Sequence, residues 1–98
     1  MKKKIYISVP ISGRPEEEVE KKINKAKAII TALGHEPVSP LDLPHNHNKS
    51  WRAYMHEDIN ALMNCDGIYL CSGWQFSKGC KLESLIALEF GLEFFTNN

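Results

Sequence analysis

The hydrophobic residues of this 98-residue chain follow two different spacings. Short β-branched and aromatic runs, the first of which occupies residues 5–9, are typical of strands. Between these runs, apolar residues recur three and four positions apart, as at Val19, Ile23 and Ala26, which is typical of helices. The pattern predicts strands at residues 5–9, 35–38, 66–72 and 92–96, and helices at residues 16–33, 51–63 and 79–91.

Turn-forming residues separate the predicted elements. Residues 12–15 predict a turn, and Pro15 suits the first turn of the helix that follows. Gly34 is expected to end that helix, because glycine readily adopts the left-handed conformation found just after a helix C-terminus. Residues 39–50 predict a loop that is long for so small a chain, and loops of this length are often functional.

Strands alternate with helices along the whole chain, in the order β-α-β-α-β-α-β. Alternation with short connections predicts an α/β fold in which helices cover both faces of a parallel sheet. The length predicts a single domain over residues 1–98, near the lower end of what one core supports.

Composition excludes several classes of partner. Lys+Arg and Asp+Glu each number 12, so no overall field attracts nucleic acid polymers or a membrane surface. No apolar run approaches the ~20 residues that span a bilayer, and Pro10 interrupts the one candidate for a secretory signal. The three cysteines, Cys65, Cys71 and Cys80, have no paired spacing and predict buried thiols in a reducing compartment. We therefore predict a cytoplasmic protein.

The sequence lacks two familiar ligand-binding motifs and offers one weak candidate for a metal site. The loop 73–79 lacks the spacing of a phosphate-binding P-loop, and Gly13 alone does not make a dinucleotide fingerprint after the first strand. His45 and His47 could ligate a metal, but no flanking spacing supports zinc, and a polar loop tip is the simpler account. We predict no metal site.

Two carboxylates occupy helix positions that a purely structural protein would fill with apolar residues. Asp58 lies on the stripe of the second helix that also carries Trp51, Tyr54, Met55 and Leu62. Glu83 is the only charge on the face of the third helix that carries Gly79, Cys80, Ala87 and Gly91. Burying an ionised carboxylate costs several kcal/mol unless a partner or a pocket solvates it. Periodicity alone leaves open whether the two acids point inward or reach water.

Topology favours a site that contains both acids. In open α/β sheets, ligands bind beyond the carboxyl ends of the strands, and the loops 10–14 and 72–78 both leave such ends. Glu83 lies one to two turns into the helix after the second loop. Ser12, Gly13 and Ser77 are expected to share a cleft with the two carboxylates, and Tyr6 could reach it from the first strand.

Three segments together resemble the nucleoside 2-deoxyribosyltransferase superfamily, and most closely a small bacterial and phage branch of it. They are residues 6–13 (YISVPISG), 58–66 (DINALMNCD) and 77–87 (SKGCKLESLIA). The superfamily also includes 2′-deoxynucleoside 5′-monophosphate N-glycosidases. The resemblance implies a flavodoxin-like, three-layer domain with a four- or five-stranded parallel sheet. It further implies a transferase or hydrolase that cleaves the N-glycosidic bond of a small nucleoside or nucleotide without a cofactor.

The resemblance also assigns catalytic roles to three residues. The nucleophilic glutamate of the superfamily corresponds to Glu83, and its first-strand tyrosine to Tyr6, close to that glutamate. The helix aspartate corresponds to Asp58, which would contact the substrate or transfer a proton. Val9 and Ser84 depart from the usual pattern, which leaves the substrate, and activity itself, open.

Further positions border the substrate in the superfamily. Ser77 matches a position that holds the 5′ end of the sugar or its phosphate, although the transferases proper carry an aspartate there. Gly79 belongs to the same motif, and the resemblance places the first-loop residues Ser12, Gly13 and Arg14 beside the substrate. Trp74, like Trp51, could stack a base, although packing in the core or an interface is an equal alternative.

Two other functions stay open at this point. The same cleft could serve a non-catalytic nucleotide-binding or sensing module, because a fold does not guarantee chemistry, or the protein could be purely structural. We also predict a homo-oligomer, because the chain carries more large apolar side chains than a small core hides: Trp51, Tyr54, Met55, Trp74, Phe76, Phe90, Phe94 and Phe95. The resemblance implies that a neighbouring subunit completes each site, for which the tail 96–98 is one candidate.

Overall fold

Strands and helices alternate in the computed structural model, which describes residues 2–43 and 50–96. The elements are β1 (Lys4–Ser8), α1 (Glu16–Ala32), β2 (Glu36–Val38), α2 (Trp51–Met63), β3 (Gly67–Leu70), α3 (Lys78–Glu89) and β4 (Glu93–Thr96). Short 3-10 turns at Pro40–Asp42 and Trp74–Phe76 precede α2 and α3. The predicted order of elements is therefore confirmed. His45, His47 and the end of the tail lie outside the described residues.

The four strands of the described part form one parallel sheet in the order β2-β1-β3-β4. The central pair is β1 and β3, in which Tyr6 lies opposite Ile68 and Ser8 opposite Leu70. Both strands are buried almost throughout, which explains their nearly continuous apolar sequences. The predicted flavodoxin-like α/β class is confirmed. The sheet of the described residues has four strands, the smaller of the two numbers expected.

Side chains of β1 alternate between the two faces of the sheet. Ile5 and Ile7 pack under α1, in a cluster with Val19, Ile23, Ala26 and Ile30. Tyr6 faces the other side, in a cluster that includes Leu62 of α2 and Ala87 of α3. Because successive strand residues point to opposite faces, Ser8 shares the Tyr6 face. The sheet thus separates α1 from α2 and α3, as expected for three layers.

Glycines end two of the helices in the same way. After α1, the backbone N–H of Gly34 donates to Thr31 and that of His35 to Ile30, while Gly34 has a φ of 85°. This is a Schellman motif, which satisfies carbonyls that a helix end leaves without partners. Gly91, with a φ of 71°, performs the same role after α3. The third helix therefore ends at residue 89 rather than at the predicted 91.

The strand β3 is shorter than the predicted 66–72. The backbone N–H of Trp74 donates to the Cys71 carbonyl at 3.2 Å, and Gly73 adopts a φ of 86°. This tight turn takes the chain out of the sheet directly after Leu70. The pattern of apolar residues could not show the turn, since Cys71 is buried like the strand before it.

The exposure of individual side chains tests the predictions for the cysteines and for the large apolar residues. The three cysteine thiols are free and buried, as expected. Of the large apolar residues named for an exposed surface, Met55 is buried, whereas Phe76 is 84% and Phe90 58% exposed. Leu85 and Leu88 of α3 are exposed as well. No helix among residues 2–43 and 50–96 is long and apolar enough to cross a membrane.

Substitutions at two glycines, Gly67 in β3 and Gly79 in α3, test how closely the backbone packs at each position. A Cβ at Gly67 would lie 2.9 Å from the backbone oxygen of Glu93 and 2.9 Å from Ile5 Cδ1, so Gly67→Ala should lower the free energy of unfolding by about 1–3 kcal/mol. At Gly79 a Cβ would meet only the flexible Met55 side chain, at 3.2 Å, and Gly79→Ala should change stability by less than about 1 kcal/mol. Urea unfolding of both variants measures the contrast, and equal effects would contradict it.

Candidate active site

A cavity of about 610 Å³ opens at the carboxyl ends of β1 and β3, on the face covered by α2 and α3. Its volume lies in the range of small-molecule sites, about 300–1,000 Å³. Among the described residues, its polar lining consists of Tyr6, Ser12, Tyr54, Asp58, Ser77, Cys80 and Glu83. The apolar lining residues in the same part of the chain are Val9, Ile11, Pro40, Leu41, Leu43, Trp51 and Met55, together with Gly79.

Hydrogen bonds hold both oxygens of the Glu83 carboxylate in this cavity. Only 4% of the residue is exposed, and both of its oxygens accept hydrogen bonds from β1. The Tyr6 hydroxyl donates to Oε2 at 2.8 Å, and the Ser8 hydroxyl donates to Oε1 at 2.7 Å. Tyr6 and Ser8 are two positions apart and therefore share one face of the strand. The first strand thus holds the glutamate of the last helix from both sides.

Burial decides the ionisation of this glutamate. It raises the pKa of Glu83 from 4.5 to about 7, although the hydrogen bonds from Ser8 and Tyr6 oppose the rise. The negative charge of Asp58 adds to it. The pKa of Tyr6 lies well above its ordinary value, because the ring is buried beside these carboxylates. Tyr6 therefore keeps its proton and remains a donor, while Glu83 can exist in either form near neutral pH.

Asp58 brings a second carboxylate into the same cavity. It is 8% exposed and lies on the buried side of α2 with Met55 and Leu62. Its position answers the question that periodicity left open, because both α2 and α3 turn their acids inward. The charge of Asp58 thus contributes to the raised pKa of Glu83, and a strongly shifted pKa in a cavity is typical of functional sites.

The start of α3 forms one wall of the cavity. The Ser77 hydroxyl caps the helix by accepting a hydrogen bond from the Cys80 backbone N–H at 3.3 Å. Gly79 lies beside the Met55 side chain of α2, whose sulfur would be 3.2 Å from a Cβ at this position. Ser12, from the loop after β1, lines the cavity as well. These three predicted substrate residues therefore share one cavity with Glu83.

Three other predicted substrate residues do not line the cavity. Gly13, with a φ of 74°, lies within a turn closed by a hydrogen bond from the Arg14 backbone to Ile11. The Arg14 side chain is exposed, with Nη1 4.0 Å from the Glu18 carboxylate. Trp74 packs against the cluster under α2 and α3, which favours the packing alternative for this residue.

The second tryptophan has a different position. Trp51 lines the cavity and is 40% exposed. The Lys78 ammonium lies 4.4 Å from the centre of its ring, a cation–π contact that joins the first turns of α2 and α3. Both of the alternatives for Trp51, base stacking and packing, agree with this position.

Ser8 was not among the predicted site residues. The sequence does indicate it, since a serine stands in an otherwise apolar strand, two residues after Tyr6. The period of two in a strand would have placed both hydroxyls on one face. Cys80 was named only as a small residue, yet it lines the cavity, and burial raises the pKa of its thiol.

Among residues 2–43 and 50–96, no group of three or more His, Cys, Asp or Glu side chains could hold a metal ion. The two histidines considered as ligands lie outside that part of the chain.

Solved structures that share this fold include two deoxyribosyltransferases. One is the 2-deoxyribosyltransferase of the psychrotolerant bacterium Bacillus psychrosaccharolyticus, with a TM-score of 0.70 and 21% identity over 95% of this chain and 70% of that one. The other is a 2-desoxiribosyltransferase from Leishmania mexicana, with a TM-score of 0.70 and 22% identity over 96% of this chain and 63% of that one. At such identities the likeness concerns the fold, and at that level it confirms the predicted resemblance to the nucleoside 2-deoxyribosyltransferase superfamily.

The sequence comparisons add a family. A search of curated proteins gave no match. A family model, described as a domain of unknown function (DUF4406), matches residues 3–96, which is nearly the whole chain. The chain therefore belongs to the DUF4406 family.

Proposed function

We propose that the protein cleaves the N-glycosidic bond of a 2′-deoxynucleoside or its 5′-monophosphate, as a deoxyribosyltransferase or an N-glycosidase. One observation carries the proposal: the buried Glu83 carboxylate, held by the Tyr6 and Ser8 hydroxyls, lies in a cavity of small-molecule size. The fold shared with two 2-deoxyribosyltransferases supports the choice of substrate class.

Glu83 is the proposed nucleophile. Its ionised carboxylate attacks the anomeric carbon, so that a C–O bond to the enzyme forms while the C–N bond breaks and its electron pair leaves with the base. Asp58, in its protonated form, assists by donating its proton to the departing base. Water or a second base then attacks the same carbon and gives its proton to Asp58, while the C–O bond to Glu83 breaks and its electron pair returns to the Glu83 carboxylate. A carboxylate in this position also stabilises the positive charge that develops on the sugar.

Tyr6 and Ser8 act as positioning residues in this scheme. Their hydrogen bonds orient both oxygens of Glu83 and lower its pKa against the effect of burial. Without them the buried carboxyl group would be more often protonated and hence not nucleophilic. No step requires a metal or an organic cofactor.

The remaining lining residues divide by chemistry. Ile11, Leu41 and Trp51 give the cavity apolar surface that suits a base. The Ser12 and Ser77 hydroxyls are the proposed contacts for the sugar and its 5′ end. Gly13, Arg14 and Trp74 do not line the cavity, so each could bind the substrate only through a contact made outside it.

We also propose that the protein forms homo-oligomers. Leu85 and Leu88 lie three positions apart on α3 and are 58% and 64% exposed, and Phe90 follows them at 58%. Exposed apolar residues grouped on one helix are typical of association surfaces.

Replacing the nucleophile tests the mechanism directly. The protein is incubated with each deoxynucleoside and each 5′-monophosphate, with and without an acceptor base, and free base is measured by chromatography. Glu83→Gln should bind substrate and slow base release by at least about a thousandfold, because the amide cannot form the covalent intermediate. Glu89→Gln, an exposed change on the same helix, is the matched control.

Wild-type turnover in Glu83→Gln would contradict the role of Glu83. A wild-type protein that binds deoxynucleotide but releases no base would instead be the non-catalytic binding module.

The same substitution should stabilise the protein in alkaline solution. Because folding raises the pKa of Glu83 from 4.5 to about 7, the native state holds this proton more tightly, and wild-type stability falls as the pH rises between these values. Glu83→Gln should gain on the order of 3 kcal/mol over the wild type between pH 5 and pH 8. Urea unfolding at pH 5 and pH 8 measures this gain. If the variant and the wild type differed in stability by the same amount at both pH values, the raised pKa of Glu83 would be contradicted.

The pH dependence of the single-turnover rate tests the positioning role of Ser8. The rate should fall below a pH of about 7, where Glu83 becomes protonated. Since the Ser8 hydroxyl lowers the pKa of Glu83, Ser8→Ala should move this midpoint to higher pH. Ser84→Ala, which removes a hydroxyl bonded to the Lys81 carbonyl, should leave the midpoint unchanged. A midpoint in Ser8→Ala at or below the wild-type value would disprove the role.

Sedimentation velocity at micromolar concentration tests the oligomer. The chain has a mass of 11.1 kDa, and the wild type should sediment at a multiple of it. Leu88→Lys should shift the protein towards the monomer, whereas Leu33→Lys, also at an exposed leucine but after α1, should not. A single wild-type species near 11 kDa would rule out the oligomer.

A further inference from the structure

A second cavity, of about 210 Å³, lies at the carboxyl end of β3 on the α1 face of the sheet. The candidate active site occupies the other face of the same sheet end. Lys21, Lys22 and Lys25 of α1 line the second cavity, together with Tyr69 and Ser72. None of these residues takes part in the proposed reaction.

The Tyr69 hydroxyl lacks a hydrogen-bond partner among the described residues. The residue is only 2% exposed, although it lines the cavity. Buried hydroxyls are nearly always paired, because leaving one unpaired costs free energy. Burial raises the pKa of Tyr69, and the phenol therefore keeps a proton to donate. A ligand atom that accepts a hydrogen bond would supply the partner.

Positive charge surrounds this cavity. Three lysines and one acid, Glu18, line it, although the chain as a whole has no net charge. The Lys22 ammonium donates to the Ser72 carbonyl at 3.1 Å, which fixes it beside the end of β3. Lys21 and Lys25 lie one helical turn apart and are exposed, so both remain available to a ligand. The neighbouring Cys71 thiol stays neutral, because burial raises its pKa to about 12.

Size limits the ligand. A cavity of 210 Å³ is below the roughly 300–1,000 Å³ of sites that enclose drug-sized molecules. Measured against the volume of liquid water, it has room for roughly seven water molecules. This space suits one compact anionic group with several acceptor oxygens rather than a nucleoside.

We propose that this cavity is a second binding site, which takes the phosphate group of a small molecule between the lysines of α1 and the Tyr69 hydroxyl. Phosphate offers acceptor oxygens to the buried hydroxyl and to the ammonium groups at once, and such charge-assisted hydrogen bonds are the strong ones. A single water could pair with Tyr69 but carries no charge to balance the excess of three lysines over Glu18.

Calorimetric titration with millimolar inorganic phosphate, at constant ionic strength against chloride, tests the site. The wild type should bind phosphate and gain thermal stability by mass action. Tyr69→Phe keeps the ring and should weaken binding about tenfold, and the double variant Lys21→Gln/Lys25→Gln should weaken it at least as much. Ser84→Ala, outside both cavities, is the control and should bind phosphate like the wild type, whereas Ser12→Ala reports on any phosphate bound in the candidate active site. Glycerol phosphate in place of inorganic phosphate shows whether the site accepts an ester.

The variants also separate the possible outcomes. Without phosphate, Tyr69→Phe should be at least as stable as the wild type, because it removes a buried hydroxyl without a partner. Absence of phosphate binding would overturn the proposal, as would binding that Tyr69→Phe and the double lysine variant leave unchanged. Binding lost in Ser12→Ala but kept in Tyr69→Phe would assign the anion to the candidate active site instead. None of these results depends on whether the protein releases a base.

Discussion

The rest of the site depends on one interaction, the burial of a carboxylate against two hydroxyl groups. Glu83 on α3 accepts hydrogen bonds from Tyr6 and Ser8 on β1, which lie 77 and 75 positions away in the chain. Burial destabilises the ionised form of Glu83, and the hydrogen bonds from the two hydroxyls offset part of this effect. The balance leaves the pKa near neutrality, where the group can serve as a nucleophile or exchange a proton.

The topology of the sheet makes that contact possible. With the strand order β2-β1-β3-β4, β1 and β3 are neighbours, although a helix, a strand and a second helix separate them in the chain. The connections from these two strands leave towards opposite faces, which opens a crevice at their carboxyl ends. The large cavity with Glu83 lies on one face of this sheet end and the lysine-lined cavity on the other. One structural feature thus accounts for both proposed sites.

Much of the architecture followed from local patterns. The order of the elements, the parallel sheet and the helix end at Gly34 were all predictable, because each depends on residue spacing or on a single backbone conformation. Errors were confined to boundaries: β3 ends early where Gly73 forms a turn, and α3 ends before Gly91. Such ends depend on individual hydrogen bonds, which the spacing of apolar residues does not record.

For the candidate site, the sequence by itself determined which residues had chemistry to offer: a lone acid on a face of small residues, and a second acid on an apolar stripe. It could not decide whether Asp58 and Glu83 faced inward, because a small rotation of either helix would expose them. Only the tertiary structure brought Ser8 to Glu83 and left Arg14 and Trp74 outside the cavity lining. The physical reason is that periodicity assigns a residue to a face of its own element, whereas the packing of strands and helices distant in sequence decides what that face meets.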